Sequence, residues 1–540
     1  MLAQLETSSI MSPSGLLVIA ALLGLLVYIS SIRKEPLPPG PKRLPIIGNV
    51  HQLPKEFPEQ TFAEWRKQFG DLIFIKLFRT PTIILNSREV AHELMEKRSK
   101  KYSDRHRLVF INEMIGLNHA LANVRYGEEF RVQRKWIQEA LQGKQTLDSY
   151  LPIMRRERHT LLHNLLETPE NFVDHLGRYM SGVVMEISYG RQLQSNEDYI
   201  VKNTDEANAI AIQAGSAGNV IVDVFPILKH IPGWMPGAGF KRLAMHANKL
   251  VRELYDRPYD EIREQMASGT ASPSYATSLI ERNTVDGKIP SDYETYIKGA
   301  LLTMFTAGTE TVGPDQRSHA SNTHATFTII DQTVTAMITF FLAMTRNPAV
   351  YKKMQEELDR VVGKDRLPEL DDRDSLPYVE AVVKETLRWR PPTPLGLPHW
   401  TNEGDVFRGY RIPPQSSVIA NIWGMSRDEN VYQDADEFWP ERFLPNERGA
   451  PEADSADIVF GFGRRRCPGS DFALRNMFLL IASIASTLDI GKVTEGGVEI
   501  TPSAEFVPGI VSRPKPFRCR ITARSQMAID LITHSFQGGV

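Results

Sequence analysis

A mainly α-helical domain with a smaller β region, carried behind an N-terminal transmembrane helix, is the fold class the sequence predicts. Helix-period patterns dominate from Glu89 onward. Two short β-type runs, Leu72–Leu77 and Thr82–Leu85, flank Arg79-Thr80-Pro81 as a hairpin. From Leu16 to Ile32 the chain is apolar or small and uncharged, and Arg33 and Lys34 follow at once. The 540 residues suit one large domain with an appendage, and no repeat or low-complexity tract divides them. A net charge of −2 gives no basic excess to meet nucleic acid. With two cysteines in all, Cys467 and Cys519, a disulfide framework is disfavoured and a reducing compartment is natural.

Extended back to Ile10, the apolar run is long enough to cross a bilayer. Its cations follow it and no small-x-small cleavage site precedes them, so residues 1–34 read as a retained anchor, not a cleaved signal peptide. Those cations place the following chain on the cytoplasmic side. Pro36-Leu37-Pro38-Pro39-Gly40-Pro41 and Pro45 fix φ and withhold amide donors, which makes residues 35–50 a stiff, extended hinge. The main domain then spans residues 51–525, with a short tail at 526–540. Within it, Phe62–Phe69 reads as an amphipathic helix. The span from Asp104 to Tyr126 is irregular but apolar, with Phe110 and Met114 in it. Residues from Ala207 to Lys241 are apolar and broken by prolines. Pro348–Val362 and Pro377–Trp389 are further amphipathic helices, and Pro391–His399 is held extended by its prolines.

The chain is organised around Phe460-Gly461-Phe462-Gly463-Arg464-Arg465-Arg466-Cys467-Pro468-Gly469, followed at once by a helical apolar run from Phe472. Glycines let backbone approach a flat ligand, and the amides opening the next helix favour an anion. Such a site favours a thiolate, the metal-binding form of cysteine. A lone buried cysteine in a glycine-rich turn is the plainer reading. The string nevertheless resembles the Phe-x-x-Gly-x-Arg-x-Cys-x-Gly haem loop of the cytochrome P-450 family, with Phe460, Gly463, Arg465, Cys467 and Gly469 at its fixed positions. A dinucleotide site is disfavoured, because Arg466 stands where a third glycine would be needed.

The resemblance extends to Glu385-Thr386-Leu387-Arg388 and Pro440-Glu441-Arg442-Phe443, which match the family's Glu-x-x-Arg and Pro-Glu-Arg-Phe elements. It implies a structural triad in which Glu385 bridges Arg388 and Arg442. Ala307-Gly308-Thr309-Glu310-Thr311 resembles the family's oxygen-activating motif, with Glu310 and Thr311 relaying protons. The helix at Tyr126–Lys135 is similar to the family's Trp-x-x-x-Arg element, but Phe130 replaces the tryptophan. From the same likeness come haem b as cofactor, its iron bound axially by the Cys467 thiolate, with Arg465, Arg134 and His399 as partners of its propionates. Phe110, Met114, Met304, Phe305, Ala307, Leu395, Leu397 and Ile510 are the implied substrate contacts, Ile510 lying in a terminal cavity loop, Phe506–Val511.

The implied reaction inserts one atom of O2 into a lipophilic small molecule, hydroxylating or epoxidising it. NADPH–cytochrome P-450 reductase and cytochrome b5 are the implied electron donors, docking near Arg464 and Arg466. Anchor and hinge look like those of fungal microsomal members that tailor terpenoids, polyketides or alkaloids, with a single pass through the endoplasmic reticulum membrane and a cytosolic catalytic domain. A haem-thiolate isomerase or dehydratase is the rival enzyme, although Glu310-Thr311 would then have no purpose.

Residues 312–332 interrupt the oxygen-motif helix with polar, Gly-Pro-containing sequence. Deleting them joins Thr311 to Thr333 and restores one amphipathic helix. Valine codons begin GT and a glutamine codon can end AG, so an in-frame retained intron and a genuine extruded loop are both open. A genuine insertion would leave a haem-binding membrane protein with impaired catalysis.

Overall fold

The computed structural model describes Leu22, Gly24 and residues 35–193, 198–214, 221–308, 332–447 and 449–537. Among these no helix is long and apolar enough to cross a membrane. The expected anchor, residues 1–34, lies outside the described residues apart from Leu22 and Gly24. So does the interruption at 312–332, apart from Gln332, where helix resumes.

Helix α1 (Pro58–Phe69) starts one turn before the expected Phe62, because Pro58 suits a first helical position whose N–H goes unpaired anyway. Strands β1 (Leu72–Leu77) and β2 (Thr80–Leu85) pair antiparallel, Leu72 opposite Leu85 and Leu77 opposite Thr80. The turn is Phe78-Arg79, beginning one residue earlier than the expected Arg79-Thr80-Pro81, with Phe78 at φ +52°. Pro81 therefore lies inside β2, where its missing N–H does no harm. The parallel partner β4 (Ser417–Ala420) joins β2 only from Thr82 onward. With β3 (His399–Trp400) these strands make a four-stranded sheet in the order β1-β2-β4-β3.

The helical bulk comprises α2 (Glu128–Leu141), α3 (Leu151–Glu167), α4 (Phe172–Tyr189), α5 (Gly239–Ser268), α6 (Ser291–Gly308), α7 (Gln332–Arg346), α8 (Pro348–Val361), α9 (Pro377–Trp389) and α10 (Ser470–Thr487). Every residue of α7 from Val334 to Thr345 is buried, as are Asn476 to Ala485 of α10. A helix buried all round has no polar face to turn outward, so these stretches of α7 and α10 lie in the interior of the domain. Each fully buried Leu, Ile or Phe there contributes about 1.5–3 kcal/mol. The span from Asp104 to Tyr126 holds two short helical segments, Val109–Ile115 and Leu117–His119. Residues 526–537, taken as tail, form a helix whose Ile532 is fully buried in the main core.

Candidate functional site

A cavity of about 280 Å³ lies between α6, α10, the sheet and the cysteine loop. One wall is the loop itself: Phe460, Gly461, Phe462, Arg465, Cys467, Pro468 and Gly469 all border the cavity. The loop closes on itself where Cys467 N–H donates to the Phe460 carbonyl at 2.8 Å. Burial pushes the Cys467 thiol above its ordinary range, opposed by the Gly469 N–H and then by Arg134 and Arg466. A group so placed is held neutral until a cation arrives at the sulfur. Cys519 is the contrast: burial lifts its thiol to about 12, it bonds Thr345, and it borders no part of the cavity. Gly463 acts differently from expectation. It lies at φ +57° with its Cα against the Met95 carbonyl, so its missing side chain serves loop packing and not the approach of a ligand.

At one edge of the cavity stand three guanidiniums and an imidazole. Arg465, from the loop, donates to the carbonyls of Ser103 (2.8 Å), Leu121 (3.1 Å) and Val124 (2.7 Å). Arg105 donates to those of Ala122 (2.8 Å), Leu397 (2.9 Å) and Pro398 (2.6 Å). Arg134 borders the cavity without a hydrogen-bond partner among the described residues. Burial first, and then Arg105, draws Arg465 down to about 8, and burial draws Arg105 to about 10. Arginine does not surrender its proton in proteins, so these pulls measure the want of an anion. The nearest acid, Asp104, is already committed to Arg125 and to the Tyr126 N–H. His399 is buried, and its Nδ1 meets the Tyr102 carbonyl at 2.7 Å, which fixes the proton on Nδ1. Burial, then Arg105, holds it well below 6.5 and therefore neutral.

Phe130, standing where the resembled motif has tryptophan, lies beneath the Arg465 guanidinium at 3.7 Å from ring centroid to Cζ. It offers no N–H to an anion, but its ring face stabilises the cation that can bind one. Arg105 was not singled out from sequence: an arginine in an aperiodic stretch gives no signal, and two of its three carbonyl partners lie 292 and 293 positions away.

The opposite wall is apolar. Met304, Leu395, Leu397 and Ile510 border the cavity, joined by Leu121, Ile187 and Val511. Three expected substrate contacts do not reach it. Phe110 and Met114 pack in a separate cluster with Ala247 and Val251 of α5, where Asp223 holds the Phe110 N–H. Phe305 is rotated one residue past Met304 on α6 and faces Tyr189. The Ala307 side chain, Glu310 and Thr311 lie outside the described residues.

The expected triad is assembled. Arg388 grips both oxygens of Glu385 at 2.7 and 2.8 Å, and Arg442 Nε reaches the same carboxylate at 3.3 Å. All three are fully buried. A fourth member, Glu452, accepts from Arg442 at 2.8 Å and balances the charge. From this network Ser455 bonds the Lys384 carbonyl (2.9 Å), anchoring the short helix Ala456–Val459 that delivers Phe460 and the loop.

The chain matches the family model described as "Cytochrome P450" over residues 38–314 and 322–521. It is 40% identical over 529 residues to Cytochrome P450 monooxygenase 136 of Postia placenta, covering 98% of this chain and 96% of that one. It is 39% identical over 503 residues to Cytochrome P450 monooxygenase claR of Ampulloclitocybe clavipes, covering 93% and 89%. Cytochrome P450 monooxygenase COX2 of Coprinopsis cinerea is 36% identical over 508 residues, covering 93% and 92%.

Proposed function

The chain belongs to the cytochrome P-450 family of haem-thiolate monooxygenases, and from that premise we propose that it oxygenates a lipophilic small molecule in fungal secondary metabolism, using electrons that a reductase draws from NADPH. The observation that carries the reading is one cavity bounded by a lone thiol, by acid-seeking arginines and by an apolar wall.

The residues fit haem. Among the described residues no cluster of three or more His, Cys, Asp or Glu side chains can hold a metal, so Cys467 suits a metal whose other donors arrive with a macrocycle. Arg105, Arg134 and Arg465 supply the positive charge that the two carboxylates of haem require. When bound, haem supplies the oxygen chemistry: with O2, two electrons and two protons, one oxygen atom enters the substrate and the other leaves as water. The protein's part is to hold the sulfur, anchor the acidic edge, exclude water with Leu395, Leu397 and Ile510, and present a C–H bond. Glu310 and Thr311 are proposed as the proton-delivering pair.

Attachment to the endoplasmic reticulum membrane is part of this proposal. It is supported by the apolar run at 16–32 and by outward-facing apolar side chains: Ile46 is 88% exposed and Trp234 81%, with Phe225 and Ile227 beside the latter in sequence. The interruption at 312–332 is proposed to be a retained intron, and reads of the mature transcript that span it would remove that idea. The family match itself breaks at 315–321.

The test is a carbon-monoxide difference spectrum of the reduced protein, then NADPH-dependent oxygenation with added reductase. A thiolate-type, red-shifted Soret band that Cys467→Ser abolishes is the expected result. An unchanged band and full turnover in Cys467→Ser would overturn the reading. Turnover without NADPH or O2 would select the isomerase.

A further inference from the structure

Building on the monooxygenase reading, we propose that Met304 is a second oxygen acceptor, its thioether converted to the sulfoxide by the enzyme itself when the cavity holds no substrate. Four methionines border the cavity, Met95, Met180, Met304 and Met477, and none is more than 5% exposed. Three are tied to the side of the thiol. Met95 belongs to the segment whose carbonyl meets Gly463, and Met477 lies on α10, the helix that follows Cys467. The Met180 sulfur accepts from Asn476 Nδ2 on that helix at 2.9 Å. Met304 is different. It stands on α6 in the wall opposite the cysteine loop, with Leu395, Leu397 and Ile510, and among the described residues no hydrogen bond engages its sulfur. Its neighbours are committed elsewhere: Thr303 Oγ1 accepts from the Leu121 N–H, and Phe305 faces Tyr189.

That wall is where a substrate's C–H bond is presented, so an oxygen atom delivered there meets sulfur whenever carbon is missing. A thioether accepts it more readily, because a polarisable lone pair makes the new bond and no C–H bond has to break. Atoms and electrons balance with what the proposed reaction already uses. One atom of O2 bonds to Met304 Sδ, and the other leaves as water with two protons. Sulfur gives up two electrons, and NADPH supplies the other two through the reductase. The sulfoxide then sets a polar S–O group in a wall made of Leu395, Leu397 and Ile510, which disfavours a lipophilic ligand. Idle turnover is thereby self-limiting, and a substrate that fills the cavity protects Met304.

To test this, the haem-loaded full-length enzyme in detergent is incubated without substrate, with reductase, NADPH, catalase and isotopically heavy O2. Its methionine peptides are then read by mass spectrometry. Met245 and Met527, 62% and 55% exposed, report any oxidation by peroxide in solution. The expected result is heavy sulfoxide at Met304 about tenfold or more above either of them, since proximity replaces a bimolecular encounter. Omitting NADPH removes that label, and so does Cys467→Ser. In a protein that shows the thiolate-type carbon-monoxide band, label at Met304 no higher than at Met245 and Met527, or label at Met95, Met180 or Met477 in its place, overturns the proposal and leaves the monooxygenase reading intact. A protein with no such band defeats the reading beneath it, and this proposal too.

Discussion

Two groups of buried charge lie on either side of the cysteine loop, and they are built on opposite plans. Around Glu385 two acids meet two arginines: Glu385 and Glu452 answer Arg388 and Arg442, and the leftover donors end on the carbonyls of Ser426, Ala435 and Gln433. Around the cavity, Arg105, Arg134 and Arg465 have only carbonyls or nothing, and the nearest carboxylate is spent on Arg125. A buried charge without its counter-ion is costly, and a protein keeps it where something else completes the pair. The first group is therefore architecture, complete in the bare chain. The second is a binding site, complete only with an acidic ligand.

Breaking that contrast begins with Glu385→Ala. It strands two fully buried guanidiniums and removes about 3–5 kcal/mol of stability from apo and haem-loaded protein alike, measured by urea unfolding. Arg105→Met acts on the other group. It costs the apoprotein at most about 2 kcal/mol, yet raises the rate of haem transfer to an acceptor apoprotein about tenfold. Equal losses in the two forms would mean that Arg105 is architecture as well. Phe130→Leu sharpens the account of Arg465: haem retention weakens by about 0.5–2 kcal/mol, and Phe130→Trp restores it. The smallest effect is in pH. His399, facing Arg105, Arg465 and the Tyr102 carbonyl, has its folded pKa depressed below the ordinary 6.5. Its contribution to apoprotein stability is therefore present above that value and lost as pH falls below it, at no more than about 1.4 kcal/mol per pH unit. His399→Gln flattens this slope in thermal melts of the apoprotein between pH 7 and pH 5.

Local patterns were legible in the sequence and long-range ones were not. Helix α9 runs over Pro377–Trp389 as its periodicity predicts, since Pro377 opens it and Arg388 closes its last turn. Cys467, Arg465, Leu395 and Ile510 could be placed at the cavity because each belongs to a dense local motif. Arg105 and Glu452 lie in aperiodic stretches: Arg105 gains its role only once the distant carbonyls of Leu397 and Pro398 fold against it, and Glu452 only once the chain turns back onto the Arg442 guanidinium ten residues earlier. Phe110 and Met114 are assigned to the cavity by the resemblance and by their apolar character. The same character serves equally well against α5, where they pack. Met304 and Phe305 differ by one residue, about 100° of helix, and that rotation was not readable without knowing which face α6 turns inward.

Gly463 gives the loop a hard stop. A methyl group at that position would overlap the Met95 oxygen, and the segment His92–Lys97 behind it has no slack, with Leu94 and Met95 buried. The sulfur of Cys467 thus sits at a depth set from outside its own motif, by a helical segment more than three hundred and fifty positions earlier in the chain. Alanine at 463 would therefore act as a wedge, forcing the loop away from the Met95 carbonyl and displacing the thiol that would hold an iron atom.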